Sequence, residues 1–404
     1  MRTPLLAALA SVLLASCATV PSGQNVAATY ASTPETPLSF EEQQSVLFWD
    51  DATRSDRFRE MERYFAGTEV APPARTRSLP EGRPLPEAVT TVLDAYLTSQ
   101  NAAGIMVLHD GRVRYEKYGL GFGPEQRWTS FSVAKSFTST LLGAALKDGA
   151  IQSLSDPVSK YVPGLKGSAY DDVSVEQLAT MTSGVRWNED YTDANSDVAK
   201  MLTVEPVAGE SQVVTYMKTL PREAPAGEKW VYKTGETNLL GVLVENATGM
   251  TLAEYAKGKI VDPAGFEDRM FWMSDLTGGS IGGCCLSLRL ADYARFGQFA
   301  LEGGKGVVPD RWFIEAGSPQ VEFGNGYGYG YQWWTYPNTG PTAFDGPYGA
   351  QGIFGQSIAI LPAHNVVVAV VGNWPTATSP EGRAQMRQVL AAIENAVGSD
   401  DQAR

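Results

Sequence analysis

Histidine is nearly missing from this 404-residue chain, which has only His109 and His364. A Ser-His-Asp triad needs imidazole as its base. Neither histidine is placed for that work: His109 precedes an Asp-Gly turn and His364 sits in a Pro-Ala-His-Asn turn. No His/Cys/Asp/Glu group has metal-ligand spacing, so a metallohydrolase is excluded and no cofactor is called for. Cysteine is scarce too. Apart from one in the leader there are Cys284 and Cys285, and adjacent residues do not readily meet disulfide geometry. They are expected as two small packed apolar side chains. Positive charge is in deficit, 32 Lys and Arg against 45 Asp and Glu, for a net charge of −13. With no basic block to offset it, nucleic acid is excluded as a partner and the acidity serves solubility.

Long apolar runs are missing except at the start, where Leu5 to Leu14 follows Arg2 and precedes Leu14-Ala15-Ser16-Cys17. The stretch is too short to span a bilayer and has the layout of a signal peptide. Its end resembles the lipobox of bacterial lipoproteins. That resemblance implies cleavage after residue 16, a lipid anchor on Cys17 and, with Ala18 in place of aspartate, the periplasmic face of an outer membrane. The other reading is an ordinary cleaved signal in which Cys17 is incidental.

What the chain does have is an ordinary globular balance, 43% hydrophobic and 19% charged, enough to bury a large core. Residues 18–37 are rich in Ser, Thr, Pro and Ala and read as a tether. Residues 40–65 read as helical, and a Pro-punctuated connector follows, so 18–84 is expected as a tether and an extension wrapped on the main domain. Residues 86–99 read as a helix. Gly104–Leu108 and Val113–Glu116 flank Asp-Gly as a hairpin, and 353–361 with 366–371 form a second hairpin. A helix over 382–397 closes the domain, expected over 85–398, with a tail at 399–404. Between the hairpins the patterning is helical, with capping boxes at Ser174/Gln177 and Thr251/Glu254. The fold class is therefore α+β: an antiparallel sheet built from both chain ends, flanked by helices, with a mainly helical inserted subdomain.

Ser132-Val133-Ala134-Lys135 opens the apolar-periodic helix 133–147. Residues three apart on a helix share a face, so the serine and the lysine can touch. At a helix start the first N–H groups lack intrahelical partners, so the Ser132 N–H can serve an oxyanion. Lysine acts as a base only where its pKa is depressed, and Trp128, Phe131 and Phe137 offer dry surroundings. Downstream, Tyr232 lies on a loop entering a helix, placed for a proton shuttle. The glycine-rich Tyr348 to Gln356 offers a strand edge with a second N–H. Trp333 and Trp334 read as core or pocket wall.

These elements, in this order, resemble the serine β-lactamase and penicillin-binding protein superfamily over roughly residues 85–397. Met181-Thr182-Ser183-Gly184, Glu189-Asp190-Tyr191-Thr192-Asp193 and Gly352-Ile353-Phe354-Gly355-Gln356 resemble its class C-like branch, in particular the 6-aminohexanoate-dimer hydrolase relatives. The resemblance implies a β-lactamase/transpeptidase-like fold, Ser132 as nucleophile, Lys135 as general base and Tyr232 as proton relay. It implies oxyanion donors at the N–H groups of Ser132 and Ile353. The family's Lys-Thr-Gly slot falls on Ala350-Gln351-Gly352, and the asparagine after the tyrosine becomes Thr234. A lysine there attracts the penicillin carboxylate, so its loss aims the chemistry away from penicillins. Tyr191 either contacts substrate or is a packing aromatic. The resulting expectation is a serine hydrolase acting on a small amide or ester. The alternatives are a D-alanyl peptidase or weak β-lactamase, or an envelope protein that binds in the same cleft without catalysis. Oligomeric state is left open.

Overall fold

The computed structural model describes residues 29–402 apart from 339, 341, 343 and 344; Cys17 and the leader lie outside the described residues. Its strands are β1 Thr29–Ser32, β2 Gly67–Val70, β3 Ala102–His109, β4 Arg112–Tyr118, β5 Trp128–Thr129, β6 Met270–Met273 and β7 Leu286–Leu288. They continue as β8 Val321–Gly324, β9 Tyr327–Tyr329, β10 Trp334–Thr335, β11 Tyr348–Gln351, β12 Ser357–Leu361 and β13 Val366–Gly372. Eight of them form an antiparallel sheet in the order β4-β3-β13-β12-β11-β10-β9-β8.

Both expected hairpins form, and they meet. Asp110 and Gly111 turn β3 into β4 with positive φ at each, and Ile105 on β3 stands opposite Val370 on β13. The second hairpin starts later than expected. Residues Ile353–Gly355 make a single 3-10 turn in which Phe354 has φ 59°, a left-handed conformation no strand can carry, so β12 begins at Ser357.

Side chains alternate across these strands and build a core on each face. Ile105, Val107, Val368 and Val370 pack with Leu93 and Tyr96 of the helix Glu87–Ser99 and with Val389 and Ile393 of the closing helix Pro380–Gln402. Met106, Leu108, Val367 and Ala369 face the larger core, with Phe137 and Leu141 of the helix Ala134–Lys147 and Phe296 of the helix Leu290–Leu301. The closing helix runs through what was expected as a tail from residue 399. The expected helical insertion lies between β5 and β6, and both capping boxes form, starting the helices Val175–Ala179 and Leu252–Ala256.

The N-terminal extension is the main departure. Residues 29–32 are not tether: β1 pairs with β2 and joins a second sheet in the order β1-β2-β6-β7-β5. Arg127, just before β5, pairs with Glu69 on β2 at 2.8 Å and with Glu62 at 2.5 Å, all largely buried. Arg54, also buried, donates to Asn373 Oδ1 at 2.7 Å and to the Trp49 carbonyl at 2.8 Å, and lies 4.7 Å from the Phe354 ring centroid. Phe58, fully buried, meets Phe131 at 4.9 Å, Phe354 at 5.5 Å and Trp128 at 6.0 Å between centroids. These contacts bind residues 49–70 into the body of the domain.

Removing the Phe58 ring leaves a cavity among three aromatics and both loosened turns. Phe58→Ala is expected to cost ~3–5 kcal/mol of stability, read by denaturant unfolding.

Candidate active site

Ser132 lies in a 3-10 turn, Phe131–Val133, which feeds directly into the helix Ala134–Lys147. Phe131 has φ 42°, an uncommon backbone state for a bulky residue, and it turns the following serine out toward a cavity. One turn on, the Lys135 side chain is buried and donates three hydrogen bonds from Nζ: 3.1 Å to Ser132 Oγ, 3.0 Å to Thr234 Oγ1 and 2.9 Å to the Gly283 carbonyl. Burial pushes its pKa down to about 8, against the Glu189 carboxylate, which raises it. A Cβ on Gly283 would stand 3.1 Å from Lys135 Nζ and 2.9 Å from Asn238 Oδ1, so only glycine allows this carbonyl so close to the amine.

The other expected residues converge here. The Tyr232 ring lies 5.2 Å from Lys135 Nζ and is stacked with Trp334 at 5.5 Å. Burial and then Glu189 push its pKa up, so the phenol is neutral, while a hydrogen bond with Ser132 and the charge of Arg383 oppose them. Tyr232 is held from behind by its neighbours. Lys233 and Glu236, both fully buried, face each other at 3.3 Å, and Glu236 also accepts from Tyr170 and Ser183.

Gly352 packs on the turn that carries Ser132, where a Cβ would stand 2.7 Å from the Ser130 carbonyl and 3.2 Å from the Ser132 nitrogen. That contact brings Ile353 beside Ser132, and the two residues border the same cavities. Gln356 locks the turn by donating to the Ile353 carbonyl at 3.1 Å and the Gly372 carbonyl at 2.8 Å.

Two contributors were not foreseen as such. Glu189 was quoted only as part of a phrase, yet it accepts from Tyr191 Oη at 2.7 Å, from the Thr234 N–H at 3.0 Å, and from Thr234 Oγ1 and Trp187 Nε1. Thr234 thus bridges the lysine and a carboxylate, and Tyr191 borders both cavities at Ser132. Burial first, and then Glu189, push the Tyr191 pKa up. Arg383, from the closing helix, donates to Gln351 and lies 5.5 Å from the Trp374 ring centroid. Positive charge therefore does reach this pocket, from a helix instead of from the strand position held by Ala350. Cys284 and Cys285 lie in the tight segment between Gly283 and β7, Cys285 buried and Cys284 packed against the core, and both border one cavity.

Neither histidine borders the cavities at Ser132; His109 ends β3 and His364 lies in the β12–β13 turn. Trp333 is core and Trp334 is pocket wall. Among the described residues no group of three or more His, Cys, Asp or Glu could hold a metal ion.

The serine hydroxyl thus has a buried amine and a neutral phenol beside it, with Ile353 in the adjoining turn. The Beta-lactamase family profile matches residues 89–275 and 287–393, well over half of the chain. The chain belongs to the Beta-lactamase family. Within that family it is 28% identical over 314 residues to the 6-aminohexanoate-dimer hydrolase of Paenarthrobacter ureafaciens, covering 72% of this chain and 78% of the relative. It is 27% identical to a β-lactamase of Pseudomonas fluorescens over 45% of this chain and 49% of that one. A solved structure from Bacillus anthracis assigned as a 6-aminohexanoate-dimer hydrolase superposes with a TM-score of 0.76 at 20% identity, covering 94% and 99% of the two chains. A class C β-lactamase from Rhodobacter sphaeroides gives 0.57 at 18% identity, covering 76% and 99%. These two likenesses bear out the β-lactamase/transpeptidase-like α+β fold.

The free amine of Lys135 is the basic form, so the reactivity of Ser132 toward a fluorophosphonate should rise with pH through about 8. Glu189 stabilises the ammonium; Glu189→Gln should therefore move that rise to lower pH. Lys135→Ala should slow labelling ~10²–10⁴-fold at pH 8.

Proposed function

We propose that this protein is a serine hydrolase that cleaves an amide or ester through an acyl-enzyme on Ser132. The observation that carries the reading is the Lys135 Nζ to Ser132 Oγ contact of 3.1 Å, made by an amine whose pKa burial lowers to about 8. Roughly a tenth of such amines are free at pH 7, a workable fraction for a general base.

Ser132 Oγ attacks the substrate carbonyl while its proton passes to Lys135. The carbonyl oxygen gains the electron pair and is met by the N–H groups of Ser132 and Ile353, each worth ~10²–10³ in rate by analogy with single oxyanion donors elsewhere. Collapse of the tetrahedral intermediate breaks the bond to the leaving nitrogen or oxygen. That atom takes a proton from Tyr232, which recovers one from Lys135. Water then repeats the sequence on the ester, releasing the acid and restoring Ser132. Kinship with the 6-aminohexanoate-dimer hydrolase supports linear amides as the substrate class. A second reading, acylation by β-lactams or D-alanyl peptides, is favoured by one observation, the cation that Arg383 brings to the pocket.

The leader ending at Cys17 supports a lipid-anchored place in the cell envelope. No helix among the described residues is long and apolar enough to cross a membrane.

Incubation with a fluorophosphonate should add one adduct to the intact mass, on Ser132, and Ser132→Ala should abolish it; an unreactive folded protein refutes the mechanism. Tyr232→Phe should lower kcat on amides ~10²-fold or more, and less on esters whose leaving group needs no proton. Stable acylation by a penicillin, with no turnover of linear amides, would select the second reading. Cys17→Ser should move the protein from the membrane to the soluble fraction on cell fractionation.

A further inference from the structure

Two cavities meet at Ser132. One, of ≈ 720 Å³, is bordered by Tyr232, Trp334 and Arg383; the other, of ≈ 140 Å³, lies on the side of Thr234 and Gly283. Ser132, Tyr191 and Ile353 border both, whereas Tyr232 borders only the larger. We propose that the small cavity is the acyl subsite and takes a short, unbranched aliphatic chain of about four to six carbons with no anionic end. The leaving group then occupies the large one. This rests on the hydrolase reading above.

The division follows from the path of the proton. The departing atom must be reached by the Tyr232 hydroxyl, so the leaving group lies on the Tyr232 side of the tetrahedral carbon. With the oxyanion fixed between the Ser132 and Ile353 N–H groups, the remaining substituent, the acyl chain, points to the opposite side. On that side Ser132 borders the small cavity.

Its size and walls set the chemistry. A dry cavity of roughly 150 Å³ holds a molecule the size of benzene, about six carbons. Leu47, Met61, Phe65, Phe131, Met201 and Leu202 present carbon and sulfur to it. Several polar groups at its edge are already engaged. Asn238 accepts from the Gly283 N–H at 2.6 Å and donates to Met201 Sδ at 3.4 Å, and Gln212 donates to the Leu202 and Val204 carbonyls at 3.1 Å. Asp275 accepts from Thr277 and Gly279 through one carboxylate oxygen, and Tyr191 and Thr234 both donate to Glu189. An alkyl chain leaves all of these bonds intact, whereas an anionic terminus would be desolvated beside the Asp275 carboxylate.

The roof of the cavity comes from the N-terminal extension, through Phe40, Val46 and Leu47. The segment expected as a wrapping of the domain therefore sets the length of chain the enzyme accepts.

The test is kcat/KM on p-nitrophenyl esters from acetate to decanoate, with the leaving group held constant. The maximum should fall at butanoate to hexanoate, with a loss of at least tenfold by decanoate. Leu47→Ala opens the roof and should move the maximum to octanoate or beyond. Leu276→Trp, at the half-exposed rim, should lower the hexanoate-to-acetate ratio at least tenfold. A profile that is flat or still rising at decanoate overturns the proposal, as do two folded variants whose profiles superimpose on the parent's. So does a protein whose Ser132 reacts with a fluorophosphonate but turns over none of the esters. A Ser132 that does not react at all refutes the hydrolase reading itself, so the two failures are distinguishable.

Discussion

Two backbone N–H groups can serve one oxygen only if the turns that carry them are held against each other, and here that contact depends on a small aromatic cluster. Phe131 precedes Ser132 and Phe354 follows Ile353; both have positive φ, and their rings lie 5.4 Å apart. Phe58 meets both rings, and the Arg54 guanidinium lies over Phe354. Left-handed backbone at two bulky residues costs of order 1–3 kcal/mol each and persists where packing overdetermines it. The cluster provides that packing, and two of its members come from the N-terminal extension. The extension thus supports the candidate site, although it lies before the first residue matched by the family profile.

The lysine is governed by a related balance. Burial disfavours the ammonium, while three acceptors and a nearby carboxylate favour it. Were burial the only influence, the amine would be free but poorly oriented. Were the carboxylate in direct contact, the proton would be held too tightly to exchange with serine. Thr234 stands between Lys135 and Glu189, accepting from one and donating to the other, so the carboxylate acts at one remove.

Much of this was legible in the sequence because the signals were local. The alternation in β3 and β13, the two capping boxes, the Asp-Gly hairpin and the Ser-x-x-Lys spacing each depend on residues within one or two turns of one another. The second sheet was not legible, since strands of two to four residues such as β5 and β7 carry too little periodicity to register. Arg383 reads as one more polar residue on an amphipathic helix, and its role appears only when that helix lies beside Gln351. Glu189 stood in a quoted phrase; its donors Trp187 and Tyr191 are local, but the two from Thr234, which link it to the lysine, come from 45 residues away and only the fold brings them.

The order of strands also constrains how such a chain is made. β3, near the start of the domain, is completed by β13, near its end, and the last helix covers one face of both. No stable central sheet can form until almost the entire polypeptide is available, because the pairing that closes it has very high sequence separation. A nascent chain of this topology remains unfolded for most of its synthesis.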